Sequence, residues 1–156
     1  MSVASVKEYL KQFGADTRVV ELETSTATVE LAANALGCKP CEIAKSLTFS
    51  VNGEPVMIVA AGDVRIDNRR FKDTFGVKAK MLTHEEVEEM IGHKVGGVCP
   101  FGVKEGVKIY LDESLRGFEY VYPAAGSENA LMKLTLAELE RFSGALGFVD
   151  VGKLPE

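Results

Sequence analysis

The loop Gly96-Gly97-Val98-Cys99-Pro100-Phe101-Gly102 has the composition in this sequence that is best suited to binding chemistry. Its three glycines and one proline favour an irregular backbone and leave few side chains to cover it. Exposed peptide N–H groups in such a loop bind a carbonyl oxygen or a phosphate, as in an oxyanion hole. The same composition fits a tight connection between strands, so the loop alone leaves both readings open.

A lysine begins the otherwise apolar run Lys45-Ser46-Leu47-Thr48-Phe49. In such surroundings an ammonium group can hold a phosphate or a carboxylate, or lose its proton when it is desolvated. The alternative is a solvated lysine whose stem lies along a strand edge. A second glycine loop, Ala124-Ala125-Gly126-Ser127-Glu128-Asn129, lacks the spacing of a Walker loop or a dinucleotide fingerprint and by itself indicates a turn.

The cysteines and histidines give weak signals for metal or redox chemistry. Cys38-Lys39-Pro40-Cys41 is a C-x-x-C motif, but Gly37 before it predicts a helix end rather than the helix start that lowers the pKa of a redox cysteine. Zinc needs four ligands, and Cys99 with His84 or His93 would have to complete them. We expect packed thiols, surface histidines, no metal and no cofactor.

The elements that position these residues are predicted from hydrophobic spacing and turn signals. Runs 45–51 and 55–61 flank Asn52-Gly53, which readily adopts positive φ, so they predict a hairpin. Helices are predicted at 2–13 and 67–75, with a short helical turn over 40–45. Another helix is predicted to end at Leu36 after a cap at Ser25 or Thr26. Capping boxes that begin at Thr83 and Thr135 each predict one more helix. Further strands are predicted at 18–23, 78–82, 107–112, 119–124 and 130–134. The mixture predicts one α+β domain over residues 1–156.

Composition and charge exclude several classes of protein. The 156 residues amount to about one domain, and no apolar run approaches the roughly 20 residues of a membrane-spanning helix. We see no secretory signal, and an odd number of cysteines fits a reducing cytosol. The net charge of −5 excludes binding of nucleic acid by bulk electrostatics. Between Arg65 and Lys80, however, six basic residues outnumber two acidic ones, which fits a weak phosphate contact or an ordinary helix surface.

Five segments, taken in order, form a pattern that none of them forms alone: 29–37 after Thr26, 42–47, 96–102, 109–112 and 125–127. This series resembles the YbaK/ProX family of aminoacyl-tRNA deacylases, which also occurs as the editing insertion of bacterial prolyl-tRNA synthetases. The resemblance covers roughly residues 20–139. It implies a mixed, barrel-like β-sheet with surrounding helices. It also implies a free-standing enzyme that hydrolyses the ester between a wrong amino acid and its tRNA.

The resemblance also implies roles for individual residues. The catalytic positions that it implies are Lys45 and the amides of Gly97, Val98 and Cys99. The implied substrate-binding positions are Thr26, Ser46, Gly96, Pro100, Gly126, Ser127 and Asn129. Thr26, Met57 and Val98 are interpreted as pocket walls. Cys99 stands where relatives often have serine or proline, and Ser46 where alanine-specific relatives often have asparagine, so the edited amino acid stays open among cysteine, alanine and similar small residues on tRNA-Pro.

The implied chemistry suits the residues, because an aminoacyl ester is activated and its hydrolysis requires positioning and oxyanion stabilisation more than a strong nucleophile. The attacking group is then water, a ribose hydroxyl or the substrate's own side chain. The expected partners are the acceptor end of aminoacyl-tRNA and prolyl-tRNA synthetase, in the cytoplasm and without a membrane. Two alternatives remain: a non-catalytic module that binds aminoacyl-tRNA or a synthetase, and a C-x-x-C redox or zinc protein. The hypothesis requires Lys45 and the glycine-rich loop to face one small cleft.

Overall fold

A hairpin forms the centre of the fold in the computed structural model, which describes residues 2–154. Its strands are β2 (Ile43–Val51) and β3 (Glu54–Ala61), which pair antiparallel over nearly their whole lengths. Asn52 at φ +54° and Gly53 at φ +82° supply the two left-handed residues that a tight hairpin turn requires. The hairpin predicted from the Asn-Gly dipeptide is therefore confirmed.

Three short strands extend this hairpin into a five-stranded mixed sheet. On one side β5 (Lys108–Asp112) lies parallel to β3, and β8 (Phe148–Val149) lies parallel to β5. On the other side β6 (Tyr122–Pro123) lies parallel to β2. The α+β class and the mixed sheet are thus confirmed. The strand order β6-β2-β3-β5-β8 has two different ends, so the barrel-like closure is not confirmed.

Two small antiparallel pairs flank the central sheet. In the first, β1 (Val20–Glu21) pairs with β7 (Ala130–Leu131), and both lie within predicted strands. In the second, β4 (Arg65–Ile66) pairs with β9 (Gly152–Lys153). Sequence reasoning did not identify the second pair, because two residues are too few to show a hydrophobic period.

Within residues 2–154 five helices pack around the strands, and the start signals of the last two match their capping hydrogen bonds. The hydroxyls of Thr83 and Thr135 each accept from the backbone N–H three residues on, where a glutamate completes the capping box. A π-helical turn at Val87–Ile91 follows the fourth helix. The helices are α1 (Val3–Leu10), α2 (Val29–Leu36), α3 (Asn68–Phe75), α4 (His84–Glu86) and α5 (Leu136–Ser143). Within residues 2–154, none of the helices has both the length and the apolar character to cross a membrane.

The predicted cap of α2 at Ser25 or Thr26 is wrong. The hydroxyl of Thr28 accepts from the N–H of Leu31 and caps the helix instead. Thr26 lies before the helix, and its hydroxyl donates to the carbonyl oxygen of Glu128 at 2.8 Å. Its side chain therefore ties two loops together rather than ending a helix.

Two further predicted elements differ in extent. The turn that begins at Pro40 ends at Glu42, and β2 begins at the next residue, because pairing with β6 from Ile43 and with β3 from Ala44 holds the chain extended. The predicted strand 78–82 forms only an isolated bridge between Met81 and Phe49 at the edge of β2. That short contact closes one end of the site described below.

The sheet is covered on both faces, and β3 is buried from Val56 to Ala61. The largest apolar cluster contains Met57, Cys99 and Phe101, so the glycine-rich loop is anchored in the main core. A second cluster lies under α3, and a third lies between α2 and the start of β2.

Candidate functional site

The site lies at an open stretch of the outer edge of β2. At its start β2 pairs with β6 only through Ile43 and Ala44. Further on, Thr48 O accepts from Leu82 N at 3.1 Å, because residues 80–82 lie along the same edge of β2 there. Because peptide groups on one side of a strand alternate, the N–H and C=O of Ser46 face the gap between these two contacts. The gap is therefore an uncovered strand edge inside the fold.

A cavity of about 390 Å³ occupies this gap. Its volume falls within the ordinary range of small-molecule sites, roughly 300–1,000 Å³. Five residues singled out in the sequence line it together: Thr26, Lys45, Ser46, Gly96 and Val98. Lining residues that sequence reasoning did not assign to a pocket are Ala27, Ala32, Ile43, Ala44, Thr48, Met81, Leu82, His84, Val87, Val95, Ala124 and Leu131. Most of these are apolar, and an apolar run alone does not distinguish a cavity wall from a packed core.

Lys45 is the one lysine among the described residues that line this cavity. Its ammonium group donates to Gly62 O at 3.2 Å and to Val64 O, both beyond the end of β3. Burial lowers the pKa of Lys45, and the nearby carboxylates of Asp63 and Glu30 partly oppose this effect. Since an ammonium has three N–H donors, the two carbonyls leave one for a ligand.

Two hydroxyl side chains lie beside Lys45 on the same strand. Ser46 and Thr48 are two residues apart, so their side chains project from one face of β2. Ser46 Oγ is buried and has no hydrogen-bond partner within residues 2–154. An unpaired buried hydroxyl is costly, and this Oγ is closed off from the cavity that other atoms of Ser46 line.

The glycine-rich loop reaches the cavity through Gly96 and Val98. The N–H of Gly97 donates to Lys94 O at 3.0 Å, so Gly97 is not free to bind an oxyanion, contrary to its implied role. The N–H groups of Val98 and Cys99, in contrast, have no hydrogen-bond acceptor in the described part of the chain. Val98 lines the cavity whereas Cys99 is fully buried, so the Val98 amide is the donor that the loop offers there.

The thiol of Cys99 is packed behind the loop rather than presented to the cavity. The residue is fully buried, and burial raises the pKa of its thiol to about 12. Its Sγ lies 3.6 Å from His93 Nε2 and 3.7 Å from Phe101 O. A thiol in this environment stays protonated, so it does not act as a nucleophile.

The two histidines differ in place and environment. His93 is buried, contrary to the prediction of a surface residue, and its Nε2 lies 2.9 Å from Phe101 O, which closes the base of the loop. Burial lowers the pKa of His93 and keeps the ring neutral. His84 is exposed, as predicted, and it lines the cavity.

The second glycine loop supports the first from behind. A Cβ added to Gly97 would lie 2.8 Å from backbone atoms of Gly126 and Ser127, so the two loops touch main chain to main chain. Ser127 Oγ donates to Asn129 Oδ1, and Asn129 Nδ2 donates to Leu22 O. This loop therefore contacts the glycine-rich loop on the side away from the cavity. The cavity lining does not include Gly126, Ser127 or Asn129.

Pro100 and Met57 also lie away from the cavity surface, because both are buried. Met57 is in the main core, so its interpretation as a pocket wall is wrong. Pro100 follows the fully buried Cys99 and holds the loop against that core. Val98, which does line the cavity, packs against the same core cluster as Met57.

The C-x-x-C motif does not assemble a metal site. Cys38 and Cys41 are free thiols, and no group of three or more histidine, cysteine or acidic side chains in residues 2–154 is arranged to hold a metal ion. Cys38 packs in the cluster beneath α2, whereas Cys99 belongs to the main core. The ligand set that a zinc site would need is therefore not brought together.

The fold and the cavity together define an α+β domain with one small, mostly apolar cleft at an open strand edge. The chain belongs to the aminoacyl-tRNA editing domain family, whose model matches residues 23–142. This match extends across both glycine loops and every residue that lines the cavity.

Individual relatives agree with this assignment. The chain is 48% identical to the uncharacterized protein YwhH of Bacillus subtilis across 98% of each. It is 34% identical to the proline–tRNA ligase of Aquifex aeolicus over 58% of this chain, which is only 16% of the ligase. A crystal structure titled as a candidate trans-editing enzyme for prolyl-tRNA synthetase superposes with a TM-score of 0.88 at 34% identity, covering 97% of this chain and 96% of that one.

Proposed function

We propose that the chain is a trans-editing hydrolase that removes a wrongly attached small amino acid from tRNA-Pro. The observation that carries the proposal is that Lys45 and the tip of the Gly96–Val98 segment line one small cavity. Membership of the editing-domain family and the similarity to the proline–tRNA ligase support the substrate class. The reaction requires no cofactor and takes place where charged tRNA is found, in the cytoplasm.

In this mechanism the protein positions an ester that is already reactive. The unpaired N–H of Val98 donates to the ester carbonyl oxygen as negative charge develops on it, and the N–H of Cys99 lies behind it in the same loop. The remaining N–H of Lys45 anchors a ribose or phosphate oxygen beside it. Water, oriented by a ribose hydroxyl, attacks the carbonyl carbon; the bond to the ribose ester oxygen then breaks, and that oxygen takes the proton that the water gives up. Where the substrate's side chain attacks instead, the ribose hydroxyl leaves in the same way and water opens the cyclic product. Ser46 belongs to the wall that the amino acid touches.

The limited selectivity of a synthetase explains why such an enzyme is useful. A synthetase gains only about 1–3 kcal/mol from each methylene that distinguishes its substrate from a smaller amino acid. A second site that accepts only the smaller product supplies the missing selectivity. The apolar walls and few hydroxyls of the cavity suit cysteine, alanine or a similar small amino acid.

A multiple-turnover deacylation assay tests the proposal. Mischarged Ala-, Cys- and Ser-tRNA-Pro are incubated with catalytic amounts of the wild type, Lys45→Ala and Lys108→Ala. Lys108 is exposed on β5 and serves as the matched control, because it loses the same charge outside both the cavity and the basic stretch 65–80. We expect Lys45→Ala to lose about 10²-fold in rate and Lys108→Ala to keep the wild-type rate.

Two results would contradict the proposal. Tight binding of mischarged tRNA by the wild type without release of amino acid would favour the non-catalytic binding module. Full activity of Lys45→Ala would remove Lys45 from the mechanism. Zinc analysis of the purified wild type adds a separate check, since stoichiometric zinc would contradict our interpretation of Cys38 and Cys41.

A further inference from the structure

Two exposed apolar side chains lie at the cavity, where burial would be expected. Met81 is 57% exposed and Val95 is 48% exposed, and both line the cavity. The other strongly exposed large apolar residues in the described part of the chain lie outside its lining: Val20, Leu31, Leu146 and Leu154. Exposed apolar surface beside a binding cavity commonly marks a contact with a ligand.

The main chain holds both residues in place. Met81 is bridged to Phe49, and the N–H of the next residue donates to Thr48 O at 3.1 Å. Val95 lies inside the turn that the hydrogen bond from Gly97 N to Lys94 O closes. The two segments approach the cavity from different parts of the chain, so their side chains offer apolar surface from two positions at its mouth.

The charge next to these side chains indicates what kind of ligand fits. Exposed lysines, Lys80 and Lys94, immediately precede Met81 and Val95, and no carboxylate of residues 2–154 lies within 4.0 Å of either ammonium group. Apolar surface flanked by unpaired cations complements a nucleotide, which combines a flat base with negative phosphates.

We propose that Met81 and Val95 contact the base of the terminal nucleoside of the RNA while its aminoacyl group fills the cavity. The inference rests on the proposed function, because the ester joins the amino acid directly to that nucleoside and so places the base at the mouth. A flexible methionine adapts its side chain to the face of a base. The contact supplies binding energy that positions the ester without touching its reacting atoms.

Paired small substrates test this contact. The probes are the 3′-ester of adenosine with alanine and the methyl ester of alanine, with the same pair for cysteine. We measure kcat/KM on each for the wild type, Met81→Ser, Val95→Ser and the matched controls Leu146→Ser and Leu154→Ser. Wild type should prefer the adenosine ester. Met81→Ser and Val95→Ser should each reduce that preference by about tenfold, and the two controls should leave it unchanged.

The outcomes separate this inference from the proposed function. If the wild type hydrolyses both esters equally well and the activity depends on Lys45, the inference about the base contact is overturned. The proposed deacylase function is not affected by that result. A preference that survives in both Met81→Ser and Val95→Ser would assign these side chains to another occupant, such as a protein segment, and would also overturn it. If the wild type hydrolyses neither the esters nor mischarged tRNA, the proposed function itself fails.

Discussion

Cys99 influences the site through its main chain, because its side chain lacks the properties of a nucleophile. Burial raises the pKa of the thiol to about 12, and its Sγ contacts Phe101 O and His93 on the core side of the loop. The N–H of the same residue is free of acceptors in the described part of the chain. The family resemblance implied a role for the Cys99 amide and none for its thiol, and that role stays a prediction.

We expect Cys99→Ala to retain deacylation within a few-fold of the wild-type rate, because the substitution keeps the amide. Removing the packed sulfur should lower the free energy of unfolding by about 1 kcal/mol. Thiol titration of the native wild type at pH 8 should count at most two reactive groups, with the third appearing after denaturation. Rapid reaction of three thiols in the native protein, or loss of activity in a folded Cys99→Ala, would contradict this account.

The buried imidazole of His93 predicts a pH dependence of stability. Burial lowers its pKa in the folded state below that of the unfolded chain, where histidine titrates near 6.5. Below about pH 6.5 the unfolded state therefore binds the proton more readily, and the free energy of unfolding falls as the pH falls. One proton limits this effect to about 1.4 kcal/mol per pH unit.

The measurement compares denaturant unfolding of the wild type and two variants between pH 7.5 and 5.5. His93→Gln should flatten the profile, because the titrating group is gone. His84→Gln is the matched control, since His84 is exposed and the chain has only these two histidines. If His84→Gln flattens the profile and His93→Gln does not, the assignment is wrong.

At the scale of elements, the contact between the two glycine loops sets the position of the Val98 amide. A Cβ on Gly97 would meet backbone atoms of Gly126 and Ser127 at 2.8 Å, and main-chain atoms cannot rotate away as a flexible side chain can. We expect Gly97→Ala to force the loops apart, to cost about 1–3 kcal/mol of stability, and to reduce deacylation strongly.

Gly147 provides the control for this prediction. It has no neighbouring atom within 4 Å of an added Cβ and does not have a positive φ, so Gly147→Ala adds the same methyl group without strain. Thermal unfolding and deacylation of both variants are compared with the wild type. Equal behaviour of Gly97→Ala and Gly147→Ala would show that the loop contact does not set the site.

Sequence signals identified the elements that have strong local determinants. The Asn52-Gly53 dipeptide and the capping boxes at Thr83 and Thr135 act over a few residues, so they predicted the hairpin and two helices correctly. The pair β4–β9 depends on residues almost 90 positions apart in the chain, and no local pattern encodes such pairing. The cap at Thr28 was missed because two other hydroxyl residues precede it closely.

The candidate site was predictable only in part, because local sequence shows a residue's type but not its contacts with distant parts of the chain. Lys45 and Gly96 stood out because lysine and glycine are unusual in apolar or ordered surroundings, and the structure places both at the cavity. Whether an amide such as that of Gly97 is free depends on its hydrogen bond to Lys94 O, which the residue type does not reveal. Met57 was wrongly predicted as a pocket wall, since an apolar residue in a strand fits a core as well as a pocket.

At the scale of the whole molecule, one ion pair joins the segment before β1 to α5, more than 100 residues later in the chain. Arg18 binds Glu138 through both carboxylate oxygens and also donates to Lys133 O at 2.8 Å. Glu138 belongs to the capping box of α5, so the pair connects the segment before β1 to the last helix. The hydrogen bond from Arg18 lowers the pKa of Glu138 to about 2.

We expect Glu138→Gln to destabilise the protein by about 1 kcal/mol at pH 7, a modest value because both side chains are about one-third exposed. Glutamine can still complete the capping box, so the change removes mainly the charge. Because the folded pKa lies below the unfolded one, the stabilisation is present above about pH 4.5 and is lost as the pH falls towards 2. The difference from wild type should therefore shrink between pH 7 and pH 3.

Glu113→Gln is the matched control for this prediction. Glu113 also pairs with an arginine, Arg116, but the two are three residues apart at the surface, so their contact joins no distant parts of the chain. Its loss should change the free energy of unfolding by less than about 0.5 kcal/mol at pH 7. If Glu138→Gln costs no more than Glu113→Gln, or if its cost does not decrease in acid, the Arg18–Glu138 pair does not fasten the N-terminal segment to α5.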